Sequence, residues 1–215
     1  PMRVVPTNDL QKIEDLVSSP SRGAWATING GFYERWPNGS HPYRAMGVVQ
    51  SQGKEHSPYR HRGGSGVLVV DAKESSPQIL HRDAYKKRGG DPPWQALQSI
   101  DRIVSGGETL VKKREGAKMA ARSAVALTEK EVILITLAAR TSVREFDGGA
   151  RLFKTSFLGL PLWAFAAYVR DSTGAQEALN MDGAVSTQMM VRLDGEVFKL
   201  IGERGIINAV ELRVR

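Results

Sequence analysis

One loop of the sequence places an acid, a glycine and two hydroxyl residues in a small volume. It covers residues 180–187 and follows a short apolar run that begins at Glu177. The carboxylate of Asp182 can act on an anomeric carbon or its attacking water, and amides and hydroxyls can hold phosphate oxygens. Such a loop suits a sugar ring beside a phosphate, although an Asp that caps its own turn has the same pattern. The candidate binding residues of this loop are Asn180, Gly183, Ser186 and Thr187.

A second polar loop, Asn29-Gly30-Gly31, directly follows the apolar run of residues 24–28. Its two glycines let the backbone turn sharply and approach a ligand, with amides available as donors. Asn29 offers both a donor and an acceptor at the end of this strand. Asn-Gly is also a common pair in plain turns, so that reading stays open.

Charged residues in three further segments are candidates for the same site. Arg122 opens an apolar strand, and the planar donors of its guanidinium match a phosphate or a carboxylate. Glu203 and Arg204 follow another strand and offer a second carboxylate and a further phosphate contact. His61 lies in a glycine-rich loop. Each of these residue types is also common on exposed surfaces, where ion pairs contribute little.

The composition excludes several kinds of chemistry. The chain has no Cys, so disulfides, thiolate nucleophiles and cysteine zinc sites are ruled out. Its four His form neither a His-Glu-x-x-His nor a His-x-His motif, so no metal site and no cofactor are predicted. Whether a divalent ion assists is open. A P-loop, a dinucleotide-binding glycine motif and a Gly-x-Ser-x-Gly elbow are also absent.

The charge balance favours anionic partners. The formal net charge is +7, which suits phosphate esters, nucleic acid, teichoic-acid-like polymers or anionic lipid. No apolar run approaches the roughly 20 residues that span a bilayer, and residues 1–10 carry no signal-peptide core. We therefore expect no membrane span.

Short strands bounded by turn residues are predicted to position these loops. They are residues 24–28, 44–50, 66–71, 121–127, 131–138, 177–182, 187–193, 196–201 and 208–214. Asp194-Gly195 and residues 128–130 are predicted hairpin turns. Helices are predicted over residues 7–18 and from Pro161 to a cap at Gly174. Residues 52–64 and 83–94 are predicted loops.

Many strands with few helices predict an α+β fold rather than alternating strand–helix units. We expect one domain over residues 1–215, built on a mixed, largely antiparallel twisted sheet with a few flanking helices.

Taken in order, these segments resemble the phosphodiester glycosidase family. The resemblance extends from about Trp25 to the C-terminus, and Asn-x-Asp-Gly-x-x-Ser-Thr is its most specific element. The matching segments are residues 26–33, 121–125, 178–187 and 203–209. The chain departs from the family pattern at Ala184 and Val185, where glycines are usual, and at Ser123, where Thr is usual.

The resemblance implies hydrolysis of a sugar-1-phosphodiester at the glycosidic bond, with the substrate carried by a glycan or a cell-wall polymer. It makes Asp182 the nucleophile, general base or electrostatic stabiliser, and Glu203 the second carboxylate. Arg122 would bind phosphate. Asn29, Asn180 and Ser186 would position sugar hydroxyls or phosphate oxygens. The resemblance also implies an extracytoplasmic location.

Two other classes of function compete with this interpretation. A phosphodiesterase that attacks phosphorus could use the same loops, although no metal cluster for the usual two-metal route is evident. A non-catalytic protein that binds an anionic polymer or nucleic acid would agree with the charge. However, the sequence contains no helix-turn-helix, RNP-type aromatic motif or zinc finger, so nucleic acid is not the expected partner.

Overall fold

Strands make up most of the chain that the computed structural model describes, which is residues 1–16, 25–35, 42–73, 75–113, 117–145, 151–155 and 158–213. The first strands are β1 (Met2–Gln11), β2 (Trp25–Asn29), β3 (Tyr33–Arg35), β4 (Tyr43–Ala45), β5 (Val49–Ser51), β6 (Lys54–Ser57), β7 (Gly66–Val70), β8 (Gln78–His81), β9 (Gln95–Ser99) and β10 (Arg102–Ser105). They are followed by β11 (Glu108–Thr109), β12 (Arg122–Leu127), β13 (Val132–Leu137), β14 (Arg140–Glu145), β15 (Arg151–Thr155), β16 (Glu177–Asn180), β17 (Met189–Leu193), β18 (Glu196–Ile201) and β19 (Ile206–Arg213). The helices are α1 (Ile13–Leu16), α2 (Arg82–Lys87) and α3 (Leu162–Thr173).

These strands form three large sheets and one small one. The largest has the order β1-β19-β2-β17-β18-β15-β14, and the other two are β11-β10-β16-β12-β13 and β6-β5-β9-β7-β8. β3 and β4 form a separate pair. Among the strand pairs in the described ranges, β15 and β18 alone run parallel. The predicted α+β class with a mixed, largely antiparallel sheet is therefore confirmed.

One apolar core joins the three large sheets. It contains Ile28 and Val210 from the first sheet, Leu179 from the second, and Leu68 and Leu97 from the third. All five side chains are fully buried. Because the sheets share this core, the ends of β2, β9, β12 and β16 meet at one place.

Helix α3 covers the opposite face of the β12–β16 sheet. Phe165 and Val169 pack there against Ile103 and Ala126. Pro161, predicted as the first helical residue, is instead the N-cap, and the helix begins one position later at Leu162. Gly174 ends the helix in a left-handed conformation (φ 67°) and donates to the carbonyl oxygen of Arg170, as the pattern predicted.

Both predicted hairpins are confirmed. β12 and β13 pair antiparallel around residues 128–130. β17 and β18 pair around Asp194 and Gly195, whose φ values are 51° and 86°. Positive φ at both central residues gives the turn a twist that matches the strands beside it.

The predicted helix over residues 7–18 is wrong. β1 continues to Gln11 and pairs with β19, and only Ile13–Leu16 is helical; residues 17 and 18 lie outside the described ranges. A long-range strand ladder overrides the local helical periodicity here. The predicted strand 44–50 is divided between β4 and β5, and the predicted loops 52–64 and 83–94 contain β6 and most of α2.

Candidate active site

The loop of residues 180–187, called the Asp182 loop below, leaves the end of β16 and passes through a short 3-10 helix, Ala184–Ser186. Backbone amides tie it to two neighbouring segments. Met181 N donates to Ser123 O at 2.8 Å and Ala184 N to Ala121 O at 2.8 Å, while Asp182 N donates to Gly30 O at 2.9 Å. The loop is therefore held against the start of β12 and the end of β2.

The buried side chain of Asn29 holds this loop in place through hydrogen bonds. Its side-chain amide nitrogen donates to Asp182 O at 2.7 Å. Its side-chain oxygen accepts from the Ser123 hydroxyl at 2.7 Å and from Gln188 N at 3.0 Å. The side chain is fully buried. This geometry gives Asn29 a positioning role, and the predicted contact with substrate stays a prediction that the buried amide does not favour.

Gly30 and Gly31 are required by close packing in this structure. Gly30 N donates to Asn208 O at 2.8 Å, and Gly31 N donates to the Asn208 side-chain oxygen at 2.6 Å. A Cβ on Gly30 would overlap that side-chain oxygen, and one on Gly31 would lie 2.6 Å from Gln98 O. The two amides thus hold β19 against the loop, so a role as donors to a ligand stays a prediction.

Asp182 occupies an environment that disfavours its charged form. Burial raises the pKa of its carboxyl group from 3.8 to about 6. A hydrogen bond from Ser186, the amide of Gly183 at 2.8 Å from Oδ1, and the positive charge of Arg204 each lower the pKa, but they only partly offset burial. The result is a carboxyl group that gains or loses its proton close to neutral pH.

Sequence reasoning missed a residue of this cluster, Tyr33. Its hydroxyl donates to Gly205 O at 3.4 Å. Burial raises the pKa of Tyr33, hydrogen bonds with Ser186 and Arg204 lower it, and the negative charge of Asp182 raises it. The signal in the sequence was its position two residues after Gly31, at the start of β3, where an aromatic side chain can reach the loop.

Arg122 lies beside the loop but acts on different groups. Its Nε donates to Leu160 O at 3.0 Å and its Nη2 to Lys118 O at 2.6 Å. Burial lowers the pKa of the guanidinium, and the negative charge of Asp101 raises it. Asp101, which sequence reasoning also missed, has its pKa raised by burial and lowered by Arg122. Binding of phosphate by Arg122 stays a prediction.

Asn180 and Thr187 bound the loop and keep unused hydrogen-bonding capacity. The Asn180 side chain is buried, with 2% of the residue exposed. Its backbone N–H donates to Asp101 O at 2.8 Å, and its backbone carbonyl accepts from the Ser99 hydroxyl at 2.5 Å. In the described part of the chain, neither Asn180 Oδ1 nor the buried Thr187 hydroxyl has a hydrogen-bond partner. Both remain candidates for contact with a substrate.

The remaining predicted residues are exposed, and the structure brings only Arg204 into contact with the Asp182 loop. Arg204 N donates to Val185 O at 3.0 Å, and Arg204 O accepts from the Gln188 side chain at 2.7 Å, so this turn is fastened to the Asp182 loop. Glu203 is exposed, and Arg204 is the charged residue that shifts the pKa of Asp182. His61 is exposed, and its carbonyl accepts from Arg82 at 3.1 Å. The roles of Glu203 and His61 stay predictions.

Within the described ranges, no group of three or more His, Cys, Asp and Glu side chains lies close enough together to share a metal ion. No helix of those ranges is both long and apolar enough to cross a bilayer.

Sequence comparison assigns the chain to a family whose motifs include the Asp182 loop. The model of the phosphodiester glycosidase family (NAGPA) matches residues 22–212, so the chain belongs to this family. The family resemblance that the motifs of the sequence indicated is therefore confirmed. No curated protein matches the chain significantly.

Solved structures share the fold. One is the catalytic domain of zebrafish N-acetylglucosamine-1-phosphodiester alpha-N-acetylglucosaminidase, auto-inhibited by its pro-peptide, with 18% identity and a TM-score of 0.66. The match covers 100% of this chain and 73% of that one. Another is a hypothetical protein from Synechocystis, with 16% identity and a TM-score of 0.55, covering 100% of this chain and 57% of that one.

Proposed function

We propose that this protein hydrolyses a sugar-1-phosphodiester by breaking the glycosidic C–O bond, with Asp182 at the reacting centre. The observation that carries the proposal is the environment of Asp182, a carboxyl group with a pKa of about 6 bordered by Ser186, Arg204 and Tyr33. Membership of the phosphodiester glycosidase family supports the class of reaction.

The chemistry fits a partly desolvated carboxylate. The bond to the anomeric carbon breaks with its electron pair on the phosphate oxygen, while the oxygen of water bonds to that carbon and its surplus proton passes to solvent. The departing phosphate monoester has a second pKa of about 6, so it leaves with little need of a proton donor. Positive charge develops on the sugar ring, and a carboxylate that is poorly solvated before the reaction is stabilised by that charge.

Substrate identity is proposed from the zebrafish relative, whose name specifies an N-acetylglucosamine-1-phosphodiester. We take this sugar, and glucose as an alternative, on a glycan or cell-wall polymer as the first candidates. The net charge of +7 suits a substrate with an anionic diester. Arg204 and Arg122 are the proposed cations for the phosphate because they lie beside the Asp182 loop.

The first experiment measures release of free sugar from N-acetylglucosamine- and glucose-1-phosphodiesters in ¹⁸O-labelled water. We expect release with the label in the sugar, which reports C–O cleavage. Label in the phosphate would identify a phosphodiesterase and contradict the proposal. Parallel assays with and without a chelator test the expectation that no metal cofactor is needed.

The pH profile tests the state of Asp182. If the carboxylate is the active form, kcat/KM should rise with pH through about 6 and then level off, because protonation below the pKa removes the charge. A profile that instead falls through about 6 would make Asp182 the proton donor and contradict its assignment here.

A further inference from the structure

A cavity lies between the start of β10 and the N-terminal end of α3, where Arg102 and Leu162 contribute to its lining. It has a volume of about 280 Å³, and Ser65, His81 and Asp101 form part of its polar wall. Leu110 and Leu162 contribute apolar surface. This volume is just below the range of about 300–1,000 Å³ that is usual for small-molecule sites.

The cavity is connected to the Asp182 loop through short contacts. Asp101 O accepts from Asn180 N at 2.8 Å, and Asn180 is two residues before Asp182. The charge of Asp101 acts on Arg122. A Cβ on Gly183 would lie 4.0 Å from the Cα of Arg122. The cavity wall and the Asp182 loop are therefore joined by a main-chain hydrogen bond at the end of β16.

The positive charge of Arg102 in this wall is already paired, although its buried Nε has no hydrogen-bond partner among the described residues. The guanidinium of Arg102 pairs with Glu177 at 2.9 Å and also donates to Ser105. His81 accepts from the amide of Asp83 through Nδ1 at 3.3 Å. A phosphate entering here would meet the Asp101 carboxyl group without an unpaired cation in the described part of the wall, which disfavours an anionic ligand.

The polar groups that stay available suit hydroxyls. The Ser65 oxygen accepts from Arg102 N at 2.9 Å, which leaves its proton free to donate. Within the described residues the Asp101 carboxyl group receives no hydrogen bond, and a carboxylate can accept from two adjacent hydroxyls. The leucines can pack against the C–H face of a ring.

We propose that this cavity binds an uncharged polyhydroxyl group of the substrate through Asp101 and Ser65. The group is the sugar ring or a polyol attached to the phosphate. That the bound group belongs to a substrate rests on the proposed function. The binding of a polyol to this cavity can nevertheless be measured without turnover.

Calorimetry on the full chain tests the proposal with free N-acetylglucosamine, glucose and glycerol. Asp182→Asn serves as the parent, so that no reaction disturbs the measurement. Adding Asp101→Asn should weaken binding by about tenfold, because a charge-assisted hydrogen bond is lost. Adding Asp171→Asn, on the exposed end of α3, is the matched control and should change nothing.

Each outcome has one meaning. Weakened binding of the sugars assigns the cavity to the ring, and weakened binding of glycerol alone assigns it to the aglycone. Equal affinity with and without the Asp101→Asn substitution, in proteins with the same Tm, overturns the proposal, as does a parent that binds none of the three compounds. A parent that binds sugar through Asp101 while the wild type releases none would preserve this inference and contradict the proposed function.

Discussion

Two loops of this protein carry an acid beside a glycine after a strand, and they differ in what surrounds the acid. The Asp182 loop is tied to β12 and β2 by three backbone hydrogen bonds of 2.8–2.9 Å and by the buried amide of Asn29. The turn of residues 202–205 is also fastened to that loop through Arg204, but Glu203 itself is exposed. Similar sequence patterns thus produce one enclosed carboxyl group and one in solvent.

The difference shows what shifts the pKa of a carboxyl group in this fold. Partial removal from water raises the pKa of Asp182 to about 6, and three stabilising neighbours do not cancel that effect. Holding such a group requires a rigid frame, which here comes from main-chain contacts and from glycines packed against Asn208. The turn of residues 202–205 contributes Arg204 to the same cluster and is itself closely packed, since a Cβ on Gly202 would lie 2.6 Å from Val185 O, yet Glu203 stays in solvent.

The largest expected effect is on Asp182. Asp182→Asn should lower kcat by about 10³-fold or more, because the charge that stabilises the transition state is removed.

The same substitution should change the pH dependence of stability. The pKa of Asp182 in the folded protein lies above the ordinary 3.8, so the wild type loses stability as pH rises through about 6. The variant should therefore be more stable at pH 8 by up to about 3 kcal/mol, with the gain vanishing near pH 3. Urea unfolding at the two pH values checks this, and retained turnover would remove Asp182 from the centre.

The next largest effect is expected on stability, when a glycine that packs against Asn208 is replaced. Gly30→Ala places a Cβ against the side-chain and backbone oxygens of Asn208, the latter at 2.9 Å, and should destabilise by about 2–3 kcal/mol. Gly89→Ala is the matched control, since no atom lies within 4 Å of its Cβ position. Thermal unfolding compares the two, and equal Tm values would show that the loop does not depend on this contact.

A smaller effect is expected when one stabilising neighbour of Asp182 is removed. Ser186→Ala deletes a hydrogen bond that lowers the pKa of Asp182, so that pKa should move upward. The rising limb of kcat/KM should then shift to higher pH. Ser172→Ala, on the exposed side of α3, should leave the limb in place. A limb that does not move in Ser186→Ala would mean that another group controls it.

The smallest effect is expected in the exposed turn. Glu203→Gln should change kcat by no more than about fivefold, because a solvent-exposed charge is screened and typically contributes at most about 1 kcal/mol to an interaction with its neighbours. Steady-state kinetics on the same substrate decide this. A tenfold loss would support the prediction that Glu203 is the second carboxylate and contradict the contrast between the two loops.

Much of the secondary structure was predictable because the signals for turns, hairpins and caps are local. The Asp194-Gly195 turn, the hairpin of β12 and β13, and the Gly174 cap follow from residues within a few positions of each other. The predicted helix over residues 7–18 failed because the partner of β1 is β19, at the other end of the chain. Periodicity in one short segment carries no information about a ladder that forms with residues about 200 positions away.

The sequence by itself determined the strand-and-turn pattern, the family motifs and Asp182 as the candidate carboxyl group. Only the tertiary structure decided that Asn29 is a buried anchor, that Tyr33 joins the cluster around Asp182, and that Asp101 lies beside Arg122. Turn and strand preferences act between neighbours in the chain. Burial, and with it the pKa of a carboxyl group, depends on which strand ends the shared core brings together.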